Sequence, residues 1–239
     1  PGPATVAVVV VALVALSLLA FAPTAAADPH ENGSSAYAIT QGEQCIDVTP
    51  IVDESQSVET FYDYRWNGTG QDFSSYGTKP YQEDDTSTLL LYEGSSGTSL
   101  VFVHEKHYEN PEEGTNGSFA TFGVSGLPAG EEGWVVEDDD YDEQVDVFNH
   151  TGTESELQWA WSQGRTDGAA YRGLSGDVSI TIDPAFNDSA VQLVNPDNSP
   201  SYNGTVEDWD VAACGGTHVR NTREIGPVTV LDRSNPGEG

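Results

Sequence analysis

Short stretches of alternating apolar and polar residues dominate this sequence, and a period of two is typical of half-buried β-strands. The clearest predicted strands cover residues 99–104, 118–124, 133–136, 157–161 and 178–182, and weaker patterns cover 45–48, 87–92, 206–211 and 228–231. Turn-forming pairs rich in Gly and Pro separate them. The pattern predicts a mainly β fold: an antiparallel, β-sandwich-like single domain with long acidic loops.

Helical spacing is rare. Residues 57–65 carry apolar side chains at helical spacing, which predicts about two turns of helix. Asp183 followed by Pro184 resembles a capped helix start and predicts a second short helix from Ala185. We therefore expect one or two short helices.

The charge balance is extreme. The chain has 39 acidic and 8 basic residues, a net charge of −31 and a pI near 4.1. Five Trp, ten Tyr and eight Phe provide enough aromatic mass for a core, which argues against disorder. We interpret the charge as adaptation to molar salt, where the Debye length falls to about 3 Å. Without a visible basic patch, the composition predicts no nucleic-acid partner.

The N-terminal residues predict export. Residues 6–22 form an apolar run that ends before Ala25-Ala26-Ala27, a small-residue stretch typical of a signal-peptidase site. We expect residues 1–27 to be a secretory signal peptide and residues 28–239 a single extracellular β domain. The alternative is an uncleaved signal segment, which would be the protein's only contact with the membrane.

Two features fit an exported protein. Cys45 and Cys214 lie near the two ends of the mature chain and predict a disulfide, although two unrelated buried thiols remain the alternative. Six Asn-x-Ser/Thr sequons predict glycosylation at Asn32, Asn67, Asn116, Asn149, Asn187 and Asn203.

An acidic loop follows the predicted strand at 133–136. Its alternating carboxylates, at Asp138, Asp140, Asp142 and Asp146, are of the kind that bind calcium. A solvated acidic surface explains them equally simply, so calcium is a candidate cofactor only.

Two scarce arginines, Arg165 and Arg172, lie between the predicted strands at 157–161 and 178–182. Either they tie a loop to buried acids, or they bind an anionic ligand such as a uronic acid. His104 and His107 have no further metal ligands at a recognisable spacing, and we expect them to be exposed polar residues at a strand end.

Several segments resemble an uncharacterised family of secreted haloarchaeal proteins: residues 100–104, 126–128 with 133–139, 159–161 with 164–174, and 182–187. The resemblance covers most of the chain after residue 27. It implies an exported location and identifies no catalytic or binding residue.

Two functions remain open at this point. We favour a non-enzymatic extracellular or cell-surface module that binds a glycan or an envelope protein, because no nucleophile motif or cofactor loop is recognisable. The alternative is a secreted hydrolase acting on polysaccharide, with two carboxylates as its catalytic pair and Trp159 or Trp161 stacking against sugars.

Overall fold

The structure is a computed structural model that describes residues 37–41, 44–66, 73–129, 133–138, 146–175, 178–193, 204–212, 217–219 and 228–232. Residues 34–239 form one compact unit. The predicted signal peptide, residues 1–27, lies outside the described residues. None of the helices within the described ranges has the length and apolar character that crossing a membrane requires.

The first sheet has seven strands among the described residues, and all its pairings are antiparallel. In spatial order these are β10 (Val147–Thr151), β11 (Glu154–Ala160), β8 (Phe119–Ser125), β13 (Ser179–Phe186), β16 (Val228–Asp232), β1 (Tyr37–Gln41) and β2 (Gln44–Val48). A strand from the C-terminal end of the chain therefore lies between a central strand and the first strand.

The second sheet combines antiparallel and parallel pairs. Its order is β15 (Thr217–Val219), β14 (Asp208–Ala212), β6 (Thr86–Gly94), β7 (Gly97–His104), β12 (Asp167–Leu174) and β9 (Trp134–Glu137). β14 runs parallel to the first half of β6, and β3 (Ile51–Asp53) runs parallel to its end. A separate two-stranded sheet pairs β4 (Tyr64–Trp66) with β5 (Phe73–Ser75).

The main core lies between the two large sheets. Alternate residues of β6 and β7, such as Leu89 and Phe102, pack with Phe122 and Trp159 from the first sheet. Phe122 contacts Phe102, Trp159 and Trp209 edge to face, at centroid distances of 5.1–5.3 Å. This face-to-face packing confirms the predicted mainly β, antiparallel, single-domain fold.

A helix covers the outer face of the second sheet. The Ser57 hydroxyl caps α1 (Val58–Tyr62), which ends at Asp63 in the left-handed conformation. Val58 and Tyr62 pack on outward-facing residues of β6 and β7. β6 and β7 are therefore buried on both faces, and their sequences read as continuous apolar runs.

Two local predictions are wrong. No helix begins at Ala185, because residues 183–186 continue β13, and only a 3₁₀ turn, Asn187–Ser189, follows. Among the described residues, β16 pairs with β13 only as far as Ile182, and Pro184 pairs with β8 alone, where a missing N–H is tolerated. The expected loop around Arg165 and Arg172 is largely strand β12, in the middle of the second sheet.

Candidate functional site

The C-terminal residues contribute strands to both sheets. Trp209 on β14 is fully buried and packs against Phe122 and Phe186, with ring centroids 5.1 and 5.7 Å apart. In the other sheet, Val230 on β16 is also fully buried. Residues 208–212 and 228–232 are therefore both anchored in the core.

One polar junction fixes the segment where it begins. The Asn187 side chain accepts a hydrogen bond from the Val206 N–H (2.7 Å) and donates one to the Val206 carbonyl (3.0 Å). The Ser118 hydroxyl donates to the same Asn187 oxygen at 3.0 Å. Asn187 has a φ of 55°, in the left-handed region that Asn tolerates better than most residues. One amide group therefore supplies both backbone partners of Val206.

A second junction holds the start of β14. The Glu105 carboxylate is buried and accepts hydrogen bonds from the backbone N–H groups of Asp85 (3.1 Å) and Lys106 (3.1 Å). The Asp85 carbonyl in turn accepts hydrogen bonds from the N–H groups of Glu207 (2.7 Å) and Asp208 (3.3 Å). Glu105 is thus connected through one residue, Asp85, to the first strand of the C-terminal segment.

Burial dominates the electrostatics of this junction. Loss of solvent raises the pKa of Glu105 to about 7, although hydrogen bonds to its carboxylate oppose the rise. The pKa of Asp85 is also raised, by its own burial and then by the nearby negative charges of Glu207 and Asp84. The junction therefore titrates closer to neutrality than ordinary carboxyl groups do.

His104 and His107 are buried, so their predicted exposure is wrong. His104 Nδ1 lies 2.8 Å from the Ser87 hydroxyl, and its ring stacks on Trp161 with centroids 5.2 Å apart. Complete burial lowers the pKa of His104 to about 3, which keeps the ring neutral near pH 7. Sequence reasoning missed this because two apolar layers cover β7.

The two described residues of the predicted calcium loop are buried. Asp138 accepts a hydrogen bond from the Tyr62 hydroxyl (2.6 Å), and Asp146 accepts one from the Ala160 N–H (2.9 Å). The other two predicted ligands, Asp140 and Asp142, lie outside the described residues. Within the described ranges, no three His, Cys, Asp or Glu side chains are grouped in a way that would hold a metal ion. Calcium binding stays a prediction.

The two arginines have different surroundings. Arg165 is buried and donates to the carbonyls of Tyr108 (2.8 Å) and Gly164 (3.1 Å). Arg172 donates to the Glu59 carboxylate of α1 at 2.7 Å, so it ties the helix to the sheet. In these contacts, the two guanidinium groups have no partner in common.

The export-related residues are distributed as follows. Cys45 lies on β2, whereas Cys214 is outside the described residues, so their pairing stays a prediction. Of the six sequons, those at Asn32, Asn67 and Asn203 are also outside the described residues, and Asn116 and Asn149 are exposed. The side-chain amide of Asn187, the nitrogen that a glycan would occupy, donates to Val206 instead.

Comparison with known proteins points to the C-terminal segment. Residues 204–239 match the family described as threonyl and alanyl tRNA synthetase second additional domain. Curated relatives include alanine–tRNA ligases from Thermococcus kodakarensis (65% identical over 26 residues), Aeropyrum pernix (59% over 34) and Pyrococcus furiosus (62% over 26). These alignments cover 11–14% of this chain and only 3–4% of the ligases. No solved structure matches.

These similarities overturn most of the functional predictions. The similarity of residues 204–239 to the tRNA synthetase family contradicts the resemblance to secreted haloarchaeal proteins, and with it the extracellular location and the halophilic and glycoprotein character. The cell-surface module that binds a glycan or envelope protein and the polysaccharide hydrolase are wrong on the same finding. The prediction that the protein has no nucleic-acid partner is wrong for the same reason.

A signal for nucleic acid was present in the sequence. Residues 204–239 contain three of the eight basic residues, Arg220, Arg223 and Arg233, in about a seventh of the chain. The total charge of the chain hides this local enrichment, because 33 of the 39 acids lie outside the segment. Cys214, predicted to be a disulfide partner or a buried thiol, begins the compact sequence Cys-Gly-Gly-Thr-His that ends at His218.

Proposed function

We propose that this protein binds tRNA through residues 204–239. The observation that carries the proposal is the match of this segment to the tRNA synthetase second additional domain, together with its identity to alanine–tRNA ligases. The chain spans about 3–4% of the length of those ligases, so we propose recognition of tRNA and not the ligase reaction.

The charge distribution supports binding at this segment. Residues 204–239 carry six acids and three arginines, a net charge of −3, whereas the rest of the chain carries −28. Per residue, the negative charge of this segment is about three fifths of that of the rest of the chain, so phosphate groups meet less repulsion here. Arg220 and Arg223 lie between β15 and β16 in the sequence, and Arg233 directly follows β16. Arginine is well suited to phosphate because its planar guanidinium donates two parallel hydrogen bonds.

The fold supports a fixed presentation of the segment. β14 pairs with β6 over five residues, and β16 pairs with both β1 and β13. Because each of these strands is hydrogen-bonded to a neighbouring strand, residues 208–212 and 228–232 have fixed places in the fold. Anchored backbone reduces the conformational entropy that is lost when a ligand binds.

Equilibrium binding to fluorescently labelled tRNA, measured by anisotropy, tests the proposal. A salt series from about 0.1 to 1 M KCl is needed, because screening weakens the long-range repulsion of the carboxylates more than direct contacts. We expect Arg220→Ala/Arg223→Ala to weaken binding and to reduce the slope of log K against log salt by about 2, about 1 for each lost phosphate contact.

A matched control separates local contacts from total charge. Thr151→Glu/Thr153→Glu also lowers the net charge by two, at the exposed turn between β10 and β11 on an edge of the first sheet. We expect this variant to keep the parent's salt slope. Failure of the parent protein to bind tRNA at any salt concentration would refute the proposed function, as would equal losses in the two double variants.

A further inference from the structure

Basic residues are concentrated on a second surface, far along the chain from residues 204–239. Five lysines and arginines occur in the part of the chain that the structure describes. Three of them, Arg65, Lys79 and Lys106, lie over tyrosine rings on this surface, and the buried Arg165 lies beneath it. We call Arg65, Tyr76, Lys79, Lys106 and Tyr108 the cation–aromatic surface. In a chain with a net charge of −31, such a grouping is unexpected.

Its cations lie on aromatic rings. The guanidinium carbon of Arg65 is 4.3 Å and the Lys79 nitrogen 4.1 Å from the centroid of Tyr76. The Lys106 nitrogen is 5.2 Å from the centroid of Tyr108. These distances are within the range of cation–π interactions, which hold each cation beside a flat apolar face.

Residues beneath the surface connect its two parts. One part consists of Arg65, Tyr76 and Lys79, and the other of Lys106 and Tyr108. The His107 ring packs on Tyr76 with centroids 4.5 Å apart, and Tyr108 follows it directly in the sequence. The buried Arg165 donates to the Tyr108 carbonyl at 2.8 Å and so holds this backbone from below. The backbone that carries Lys106 and Tyr108 is therefore held between the ring of Tyr76, which packs on His107, and the guanidinium group of Arg165.

Carboxylates accompany these cations in the free protein. Asp63 hydrogen-bonds Arg65, Glu109 lies 2.8 Å from the Lys79 nitrogen, and Asp84 lies 3.8 Å from the Lys106 nitrogen. The Glu109 side chain is 80% exposed, and surface pairs of this kind contribute little to stability. The carboxylates are therefore competitors that a phosphate group can displace.

We infer that the cation–aromatic surface binds a single-stranded stretch of RNA. Proteins that bind single strands combine cations along the backbone with aromatic or guanidinium planes for the bases, and this surface offers both. The inference rests on the proposed function in one respect: the single strand would belong to the same tRNA that residues 204–239 contact.

The ion pair between Lys79 and Glu109 gives a sharp test, because removing the positive charge and removing the negative charge should change RNA affinity in opposite directions. Binding of 5′-labelled oligoadenylate of twelve nucleotides is measured by anisotropy in about 0.15 M KCl, alongside tRNA. We expect Lys79→Gln/Lys106→Gln to reduce the salt slope by about 1.4, since each phosphate contact to a single strand contributes about 0.7. Glu109→Gln frees Lys79 from its competitor and should raise affinity about threefold to fivefold.

Controls and a second measurement complete the experiment. Glu112→Gln makes the same charge change at an exposed acid three residues away, outside the cation contacts given above, and should leave affinity within twofold of the parent. Ultraviolet crosslinking of the parent to 4-thiouridine-containing oligonucleotide should label peptides that carry residues 73–82 or 104–110. This readout needs no variant to fold.

The outcomes separate the two proposals. If substitutions at Lys79 and Glu109 change oligoadenylate binding, but substitutions at Arg220 and Arg223 do not weaken tRNA binding, this surface is supported and the proposed function is refuted. If tRNA binds and only the variants at Arg220 and Arg223 weaken it, the proposed function stands and this inference is overturned. Equal effects of Glu109→Gln and Glu112→Gln, or crosslinks confined to other peptides, would also overturn it.

Discussion

Replacing Glu105 by Gln removes a titrating group from the junction that holds β14. The substitution keeps nearly the same shape, and an amide oxygen in the position of Oε1 can still accept from the N–H groups of Asp85 and Lys106, both 3.1 Å away. The main change is the loss of a buried carboxyl group. Any difference in pH dependence between parent and variant therefore reports on Glu105.

The raised pKa of Glu105 sets the direction and size of the effect. Burial raises it from 4.5 to about 7, so between these pH values the folded state keeps a proton that the unfolded chain releases. Stability from this group is therefore fully present below pH 4.5 and is lost as the pH rises to about 7. Since one pKa unit corresponds to about 1.4 kcal/mol, the parent should lose about 3 kcal/mol relative to Glu105→Gln between pH 4 and pH 8.

Urea unfolding at several pH values, in about 1 M KCl to screen surface charges, measures this difference. The two proteins share their other carboxyl groups, so most of the remaining pH dependence cancels in the comparison. Glu112→Gln, a change at an exposed acid, should follow the parent at every pH. A constant difference between parent and Glu105→Gln, or one that favours the parent at high pH, would refute the assignment of a raised pKa to Glu105.

Three other predictions concern the core and the first junction. Asn187→Ala should lower the free energy of unfolding by about 2–3 kcal/mol in urea, because both backbone partners of Val206 are lost, whereas Asn149→Ala at an exposed position should change it by less than about 0.5 kcal/mol. The ring of His104, whose pKa is lowered to about 3 by burial, should show NMR shifts that do not change between pH 5 and pH 8; a titration near 6.5 would contradict its burial. Gly168→Ala should destabilise the protein by more than about 3 kcal/mol, since a Cβ atom there would lie 2.1 Å from a β7 carbonyl oxygen, and a smaller loss in thermal unfolding would show that the strands can separate.

Strands with a strong apolar pattern were predictable, whereas several others, among them the central strand β12, were not. All nine predicted strand segments overlap observed strands, because they carry either alternating apolar residues or, as in β6 and β7, a continuous apolar run. β12 was missed since Asp167 and Gly168 look like a turn and Ala169 and Ala170 carry little apolar signal. Both alanines are fully buried, Ala169 in the core between the sheets and Ala170 in the core beneath α1.

The helix predictions show what local signals can and cannot decide. Ser57 caps α1 as its sequence indicates, and the apolar spacing of Val58 and Tyr62 places both residues in the second core. The signal at Asp183 and Pro184 is just as strong locally, yet pairing with β8 keeps the chain extended there. Strand pairing between distant residues is not visible in a local pattern, and it overrides helix propensity.

The candidate site was less predictable than the fold. Its arginines are a local feature that the total charge hides, and its cation–aromatic contacts join residues that are far apart in the sequence. Total charge excluded nucleic acid, whereas the positions of Arg220, Arg223 and Arg233 favour it. The cation–aromatic surface joins residues 65, 76 and 106 across the fold, and no spacing in the sequence brings them together. Only the folded arrangement shows that the few cations of this chain are grouped.

Backbone conformation links both junctions to the C-terminal segment. Of the four non-glycine residues with positive φ in the described ranges, three (Asp85, Glu105 and Asn187) form the hydrogen bonds through which the segment enters the fold. Such conformations cost about 1–3 kcal/mol each and persist only where surrounding contacts stabilise them. The entry to residues 204–239 therefore depends on strained residues held by Val206, Glu207 and Asp208. Loosening either junction should thus lower the free energy of unfolding, because Trp209 and Val230 tie residues 208–212 and 228–232 to the main core.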